Sequence, residues 1–224
     1  MFTSDRGQRD GNALYIKDVN GIREEELLLQ SRYFLAPSDW SLDGRALVYS
    51  QLDPKTKNDL WIVRVRSAKE VKPVPFLQTE FNEWQGQFSP DVHWMAYSSD
   101  ESGRYEVYVR PFPSGLGKWQ ISTAGGQQPR WQRDGKELFY LTPDRKLMVV
   151  KVKAVAGPKV TFEAEAPESL FEAHVPSFSA SVPSPRYQYA VTGDGKRFLV
   201  QTMVGESDEA TITVVHNWLS AVRR

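Results

Sequence analysis

Short runs of hydrophobic and aromatic residues alternate with polar turn clusters along the chain. In residues 85–123, runs of four to six β-branched or aromatic residues end at clusters of Ser, Pro, Asp, Glu and Gly at positions 89–91, 100–103 and 113–115. Such runs, bounded by turn formers, are typical of β-strands. The stretch is therefore predicted to form four antiparallel strands in sequence order, which together make one meander sheet.

The same arrangement recurs, and its register is marked by a turn aspartate. Asp43, Asp91, Asp134 and Asp194 each precede a strand-like run, and they are separated by 48, 43 and 60 residues. A four-stranded propeller blade takes about 40–50 residues. The spacing therefore predicts a blade repeat, with an insertion at residues 155–185 that lengthens the last interval.

The predicted fold class is all-β: a β-propeller, or the C-terminal part of one, with about four to five blades of four-stranded antiparallel meander sheets. Residues 1–224 are predicted to form a single propeller segment that starts one strand late and stops one strand early. Residues 24–29 favour helix by local propensity, but the repeat register predicts a strand there. The predicted blades are residues 1–30 (partial), 33–78, 82–124, 128–171 and 187–218.

Several of these motifs resemble a known repeat. Residues 88–91, Phe-Ser-Pro-Asp, and residues 98–109 are similar to the TolB-like, WD-type β-propeller repeat. More narrowly, residues 129–140 and 212–218 resemble the C-terminal propeller region of bacterial serine/threonine protein kinases, which implies a sensor domain. The resemblance covers nearly the whole chain. It implies an extracytoplasmic location, periplasmic or at the cell surface, and a protein partner that no residue-level motif identifies.

Composition narrows the classes of function. The 28 Lys and Arg residues balance 28 Asp and Glu residues, so no net field attracts nucleic acid. The absence of Cys excludes disulfides, thiol catalysis and thiolate metal sites. The longest strongly apolar runs have four residues, against about 20 for a membrane span. Residues 1–30 lack the pattern of a secretory signal, so we expect any export signal or membrane anchor to lie upstream and no direct membrane insertion.

Catalytic and cofactor motifs are missing from the sequence. There is no Gly-x-Ser-x-Gly pentapeptide, and the chain is predicted not to be an enzyme and to bind no cofactor. His93, His174 and His216 lie in different repeats without a second His three or four residues away, so no metal site is predicted. Gly125 and Gly126 are expected to form a turn between blades, since no phosphate-binding sequence follows them.

The turn aspartates are expected to accept backbone N–H groups rather than to bind calcium, because dense oxygen ligands are missing around them. Val92 interrupts the pattern, since it stands where the other turns have Gly. A β-branched residue is poorly suited to positive φ. That turn therefore either uses another geometry or is strained, and the sequence leaves both open.

A partner-binding surface is predicted where the innermost strands line the propeller channel and loops enter it. Arg130 could bind a peptide or form an ion pair with an acidic residue of a neighbouring blade, and the sequence supports both interpretations equally. The predicted channel-face residues are Asp39, Glu83, Trp84, Gln85, Gln87, Gln127, Gln128 and Arg130.

The predicted function is that of a non-catalytic, TolB-like propeller that binds a protein or peptide, or acts as a sensor module, in a larger bacterial protein. The alternative is the gating propeller of a prolyl-oligopeptidase-like serine peptidase whose catalytic domain lies outside these residues. A third hypothesis is self-association through open blade edges, because unpaired strand edges expose backbone N–H and C=O groups. Nucleic acid is not an expected partner.

Overall fold

The computed structural model describes residues 1–5, 12–21, 24–65, 72–114, 116–155, 160–176 and 186–202, and the backbone of residues 212–215. All regular elements in these parts of the chain are β-strands, in antiparallel sheets that follow the chain order. Within the same residues no helix is long and apolar enough to cross a membrane. The predicted all-β class of antiparallel meander sheets is confirmed.

The chain divides into two compact units, Met1–Gln87 and Phe88–Arg224. In the first unit, Leu14, Leu35 and Leu47 belong to a buried core made by residues of its two sheets. The first sheet contains β1 (Phe2–Ser4), β2 (Asn12–Ile16) and β3 (Glu26–Ser31), and the second contains β4 (Leu35–Trp40), β5 (Ala46–Asp53), β6 (Lys57–Arg64) and β7 (Pro73–Leu77), each in that order. The strand β3 confirms the prediction from the repeat register: Glu26–Ser31 form a strand despite the local helix propensity of residues 24–29.

Three further sheets follow. The unit boundary falls within the first strand of the next sheet, β8. That sheet has β8 (Glu83–Phe88), β9 (Trp94–Ser99), β10 (Glu106–Pro111) and β11 (Trp119–Gln120). The next has β12 (Gln127–Trp131), β13 (Glu137–Leu141), β14 (Lys146–Val155), β15 (Thr161–Ala164) and β16 (Glu168–Glu172), and the last has β17 (Tyr189–Val191), β18 (Phe198–Gln201) and β19 (Ile212–Val215).

The long last interval of the repeat, between Asp134 and Asp194, is explained in part by β14. This strand has ten residues, and it continues past the end of β13, its partner on one side. On the other side its first half pairs with β16 and its second half with β15. The predicted insertion thus adds a strand pair to the fourth sheet, while residues 156–159 and 177–185 of that insertion lie outside the described part.

The four turn aspartates cap their turns as expected. Asp43 Oδ1 accepts hydrogen bonds from Ser41 Oγ at 2.6 Å and from the backbone N–H of Arg45 at 3.0 Å. The carboxylates of Asp91, Asp134 and Asp194 accept the equivalent backbone N–H two residues later. Val92 adopts φ +59° in the same turn geometry. Of the two interpretations left open by the sequence, strain at Val92 is the one observed.

Candidate functional site

The predicted site residues of the first unit are mostly buried. Glu83, Trp84, Gln85 and Gln87 have between 2% and 9% of their surface exposed. The hydroxyl of Thr79 donates a hydrogen bond to Glu83 Oε1 at 2.5 Å, which fixes that carboxylate in place. Gln87 in β8 and Asp39 in β4 both belong to this unit, and Asp39 is half-buried.

The Gln87 side chain connects these two strands. Its Nε2 donates to the backbone carbonyl of Ser38, the neighbour of Asp39, at 3.0 Å. An amide bonded in this way satisfies a backbone acceptor that would otherwise be costly to bury. Gln87 therefore has a structural role next to Asp39.

In the second unit, Gln127 and Gln128 have no exposed surface. Gln128 Oε1 accepts the backbone N–H of Gln188 at 2.6 Å, and its Nε2 donates to Gln188 Oε1 at 2.9 Å. The Tyr189 hydroxyl donates to the Gln128 carbonyl at 2.9 Å. Burial raises the pKa of that hydroxyl well above its usual range. Gln128 thus joins β12 to the start of β17.

Arg130 makes a contact that neither sequence interpretation included. Its guanidinium carbon lies 3.7 Å from the centre of the Tyr187 ring, within the range of a cation–π interaction. Arg130 is half-buried. Of the eight predicted residues, Asp39 and Arg130 have partly exposed side chains, so they alone in that set are positioned for direct contact with a partner. The channel-face assignment stays a prediction.

Two of the predicted residues have an unusual backbone conformation. Gln85 and Gln128 adopt φ +58° and φ +61°, and each stands six residues before its turn aspartate, Asp91 or Asp134. In β12 the pairing register with β13 shifts between Gln127 and Arg130. A positive φ at a non-Gly residue is uncommon and costs free energy, and the repeat tolerates it here because Gln128 is held by several hydrogen bonds.

A large groove lies in the second unit, with a volume of about 1210 Å³. We call it the β14 groove, because the outer half of β14 forms one wall. The turns after β8 and β12 also contribute lining residues. Its lining residues are Ser89, Pro90, Asp91, Trp94, Trp131, Gln132, Asp134, Gly135, Lys136, Glu137, Lys151, Val152, Lys153, Ala154, Val155, Glu163, Ala164 and Glu165.

Aromatic packing supports the wall of the β14 groove. Phe162 of β15 lies 5.2 Å from Trp94 and 5.4 Å from Trp119 between ring centroids. The Trp94 and Trp119 rings meet edge to face at 5.6 Å. Buried aromatic pairs of this kind contribute about 0.5–1.5 kcal/mol each beyond the area they bury. The β14–β15 extension is thus fixed against the preceding sheet.

The rim of the β14 groove carries charges of both signs. Burial raises the pKa of Glu137, with a further contribution from the negative charge of Asp134. The Lys136 ammonium is 3.8 Å from the Asp134 carboxylate, and exposed pairs of this kind contribute only about 0–1 kcal/mol. Loss of the Lys136–Asp134 pair would therefore cost little free energy.

The outer half of β14 also has an open backbone edge among the described residues. The Val152 N–H donates to the Lys136 carbonyl at 2.8 Å, on the side of β13. In an antiparallel ladder, alternate residues direct their backbone groups to the same side. The N–H and C=O of Ala154 are therefore directed beyond the end of β13, where no described strand pairs with them.

Sequence reasoning missed the β14 groove. Asp91 and Asp134 were predicted as turn residues, and this is the position they have. That their turns also line a groove was not predicted. The available signal was the run Lys151–Val155 of β14, which continues the strand pattern beyond the length needed to pair with β13. Within the described residues no group of three or more His, Cys, Asp or Glu side chains is arranged to hold a metal ion.

The buried carboxylate of Glu106 has structural partners. It accepts hydrogen bonds from Arg104 Nε at 2.8 Å, from the Gly125 N–H at 2.9 Å and from the Ser122 hydroxyl. Gly126 lies so close to Ser122 that a Cβ at this position would be 2.5 Å from Ser122 Oγ. The two glycines lie in the connection between β11 and β12, and so between two sheets, as predicted.

Comparison with solved structures identifies the architecture. The chain is similar to TolB from Acinetobacter baumannii, with 15% identity and a TM-score of 0.59 over 92% of this chain and 46% of TolB. The fold is a TolB-like β-propeller. The chain spans about half the length of that TolB structure. No protein-family model matches the sequence, and no curated protein does.

Enzymes also share this architecture. An oligogalacturonate lyase solved in complex with manganese has 15% identity and a TM-score of 0.58, over 91% of this chain and 53% of the lyase. A puromycin-hydrolyzing peptidase from Mycobacterium tuberculosis has 14% identity and a TM-score of 0.51, over 85% of this chain and 38% of the peptidase. At such identities the similarity shows the TolB-like fold and leaves the function to be argued from sites.

Proposed function

We propose that this chain is a non-catalytic, protein- or peptide-binding segment of a TolB-like propeller, and that the β14 groove is its main contact surface. The single observation that carries the proposal is the combination, in one groove, of the partly exposed Trp131 side chain, charges of both signs and an open strand edge. Extended peptides bind such edges through backbone hydrogen bonds, while neighbouring pockets select their side chains.

The geometry suits an extended segment. Ala154 offers one backbone donor and one acceptor, as described above, and the exposed side chains of Lys153 and Val155 flank it. Val155 is 57% exposed, which provides apolar area for a partner side chain. Burying apolar surface contributes roughly 25 cal/mol per Å². The exposed Val155 side chain would therefore add affinity, while the backbone groups of Ala154 would orient the bound segment.

The wider setting is part of the same proposal. The resemblance to TolB supports an extracytoplasmic location and a protein partner, and the kinase-like motifs support a sensor segment in a larger bacterial protein. Residues 1–224 are proposed to belong to one propeller, with the blade boundaries predicted above. Asp39 of the first unit and Arg130 of the second are each proposed as a further contact residue, since each side chain is partly exposed.

The test is affinity capture with the purified chain from an extract of the source bacterium, analysed by quantitative mass spectrometry. Lys153→Glu and Ala154→Pro should each reduce recovery of the partner at least fivefold. Pro at 154 removes the outward N–H without removing a bond to β15. Lys196→Glu, an equal charge change at another exposed position, should leave recovery unchanged. Circular dichroism checks that each variant is folded.

The comparison with Arg130→Ala separates the two surfaces. If that variant loses the partner while Lys153→Glu and Ala154→Pro keep it, the channel face is the contact surface and the β14 groove is not. Equal recovery by every variant would contradict both assignments.

A second candidate function is the gating propeller of a serine peptidase, which the similarity to the M. tuberculosis peptidase favours. It predicts that the full-length protein carries an α/β-hydrolase domain and releases nitroaniline from short peptide nitroanilides. Under this alternative, Lys153→Glu in the full-length protein would leave peptide hydrolysis unchanged, and the isolated chain would capture no partner.

A further inference from the structure

The two sides of β14 are covered over different lengths. Lys151 pairs with Glu137, the first residue of β13. Three residues later, Ala154 pairs with Phe162 of β15 on the other side, and its outward N–H and C=O meet no described strand on the side of β13. A residue of an added segment can therefore pair with Ala154, in line with β13.

The turn before β13 leaves this position accessible. The Lys136 carbonyl accepts the Val152 N–H at 2.8 Å, so Lys136 takes the position opposite Val152. The chain before Lys136 then bends back toward β12, because the Gln132 N–H donates to the Glu137 carbonyl at 2.9 Å. The next two positions, opposite Lys153 and Ala154, thus lie outside the β12–β13 hairpin and inside the β14 groove.

One face of β14 shows which side chain fits opposite Ala154. Alternate residues of a strand share a face, and Val150 and Val152 belong to a buried apolar cluster against which Ala154 packs. Leu138 of β13, opposite Val150, belongs to the same cluster. The partly exposed Trp131 packs against it too and lines the groove. An apolar side chain opposite Ala154 would therefore extend this cluster.

On the other face of β14, lysines stand opposite acidic residues. Lys151 is opposite Glu137 of β13, and Lys153 is opposite Glu163 of β15. The Lys153 side chain is exposed, and it forms no ion pair within the part of the chain that the structure describes. Opposite charges that face each other across a strand pair are favourable, and like charges are unfavourable. A carboxylate of an added segment opposite Lys153 would repeat the arrangement of Glu137 and Lys151.

We infer, on the basis of the proposed function, that the β14 groove selects an extended segment in which two adjacent apolar residues are followed by an acidic residue. The segment is antiparallel to β14, as β13, β15 and β16 are. In this direction the residue opposite Val155 comes first, the residue opposite Ala154 second, and the acidic residue opposite Lys153 third. Because Val155 is 57% exposed, an apolar first residue removes apolar surface from water.

The first test selects peptides from a phage-displayed library of random linear sequences on the whole, purified chain. Peptides recovered on the wild type but not on Ala154→Pro, whose folding is checked by circular dichroism, depend on the β14 groove. They should share two adjacent apolar residues followed by Asp or Glu. Groove-dependent peptides without this order would overturn the inference and leave the proposed function standing. Failure to recover any groove-dependent peptide would overturn both.

Charge exchange tests the position of the acidic residue. In a selected peptide, replacement of this residue by Lys should weaken binding to the wild type roughly threefold or more in fluorescence anisotropy. Lys153→Glu should restore the binding of the Lys peptide. Lys196→Glu, at an exposed lysine outside the residues that line the groove, should not. Absence of rescue by Lys153→Glu would overturn the assignment of the acidic residue to Lys153.

Two further measurements test the direction and the occupant. The reversed peptide, which would place its acidic residue opposite Val155, should bind more weakly, and equal binding would overturn the antiparallel arrangement. Sedimentation velocity of the chain without peptide should show no self-association that depends on the groove. If the wild type self-associates and Ala154→Pro abolishes this, the occupant is a second copy of the chain and the inference is wrong.

Discussion

The buried carboxylate of Glu106 accepts a hydrogen bond from the hydroxyl of Ser122, sixteen residues later in the chain. Ser122 Oγ in turn accepts the backbone N–H of Val107 at 2.8 Å. This pair connects β10 to the turn that leads into the next sheet. Because the Gly125 N–H is bound by the same carboxylate, Glu106 organises the connection between two sheets of the second unit.

Removal of this carboxylate should be strongly destabilising. Glu106→Ala leaves buried donors without an acceptor, and we expect a loss of about 3 kcal/mol in the free energy of unfolding, since each unsatisfied buried group costs about 1–3 kcal/mol. Urea denaturation followed by Trp fluorescence measures the loss. Glu168→Ala, at an exposed carboxylate 4.0 Å from Lys151, should change stability by less than about 0.5 kcal/mol. A similar effect of both variants would contradict the structural role.

The strain at Val92 predicts a stabilising substitution. Val92→Gly should raise the free energy of unfolding by about 0.5–1 kcal/mol, because a left-handed conformation costs an L-residue about 1–2 kcal/mol and the flexibility of Gly offsets part of the gain. The reciprocal change, Gly44→Val, should destabilise by about 0.5–1 kcal/mol, for the same two opposing reasons. Gly44 has φ +70°, and no atom lies within 4 Å of an added Cβ. A loss of stability in Gly44→Val would therefore come from the backbone conformation rather than from a steric clash. Thermal denaturation of both variants tests the pair.

Local patterns were sufficient for the strands and the turns. The turn at Asp43 could be predicted because its hydrogen bonds join residues two to five positions apart. Contacts across the chain could not. Gln128 forms a hydrogen bond with Gln188, which is 60 residues later in the sequence. Phe162 of β15 packs on Trp94 of β9, and no local pattern predicts that these two strands contact each other. The predicted site residues were recognised as polar members of inner strands, but polarity alone does not tell whether an amide faces a channel or another sheet.

The contact between Gln128 and Gln188 predicts that a proposed site residue also stabilises the fold. Gln128→Ala should lower the free energy of unfolding by about 2 kcal/mol, since the Gln188 N–H loses its buried acceptor. Gln201→Ala, at an exposed residue of β18, is the matched control and should have an effect within about 0.5 kcal/mol. Chemical denaturation of both variants provides the comparison. Equal stability of Gln128→Ala and the control would contradict this structural role of Gln128.

The capped turns predict a dependence of stability on pH. The hydroxyl of Ser41 and the backbone N–H of Arg45 lower the pKa of Asp43 below its ordinary value of 3.8, and Thr192 and the Lys196 N–H lower the pKa of Asp194 in the same way. The folded state therefore binds protons less readily than the unfolded state at these groups. Their stabilisation is fully present above the unfolded pKa and is lost as the pH falls through the lower, folded pKa.

Asp43→Asn keeps the shape of the turn and removes this titration. The melting temperature of the wild type should exceed that of Asp43→Asn at neutral pH, and the gap should narrow as the pH falls below 3.8, the ordinary pKa of an Asp side chain. Differential scanning calorimetry over this range measures the gap. If the difference in melting temperature stays constant with pH, the turn does not require the ionised carboxylate. The amide oxygen of Asn would then accept the same N–H, with a loss of stability that does not depend on pH.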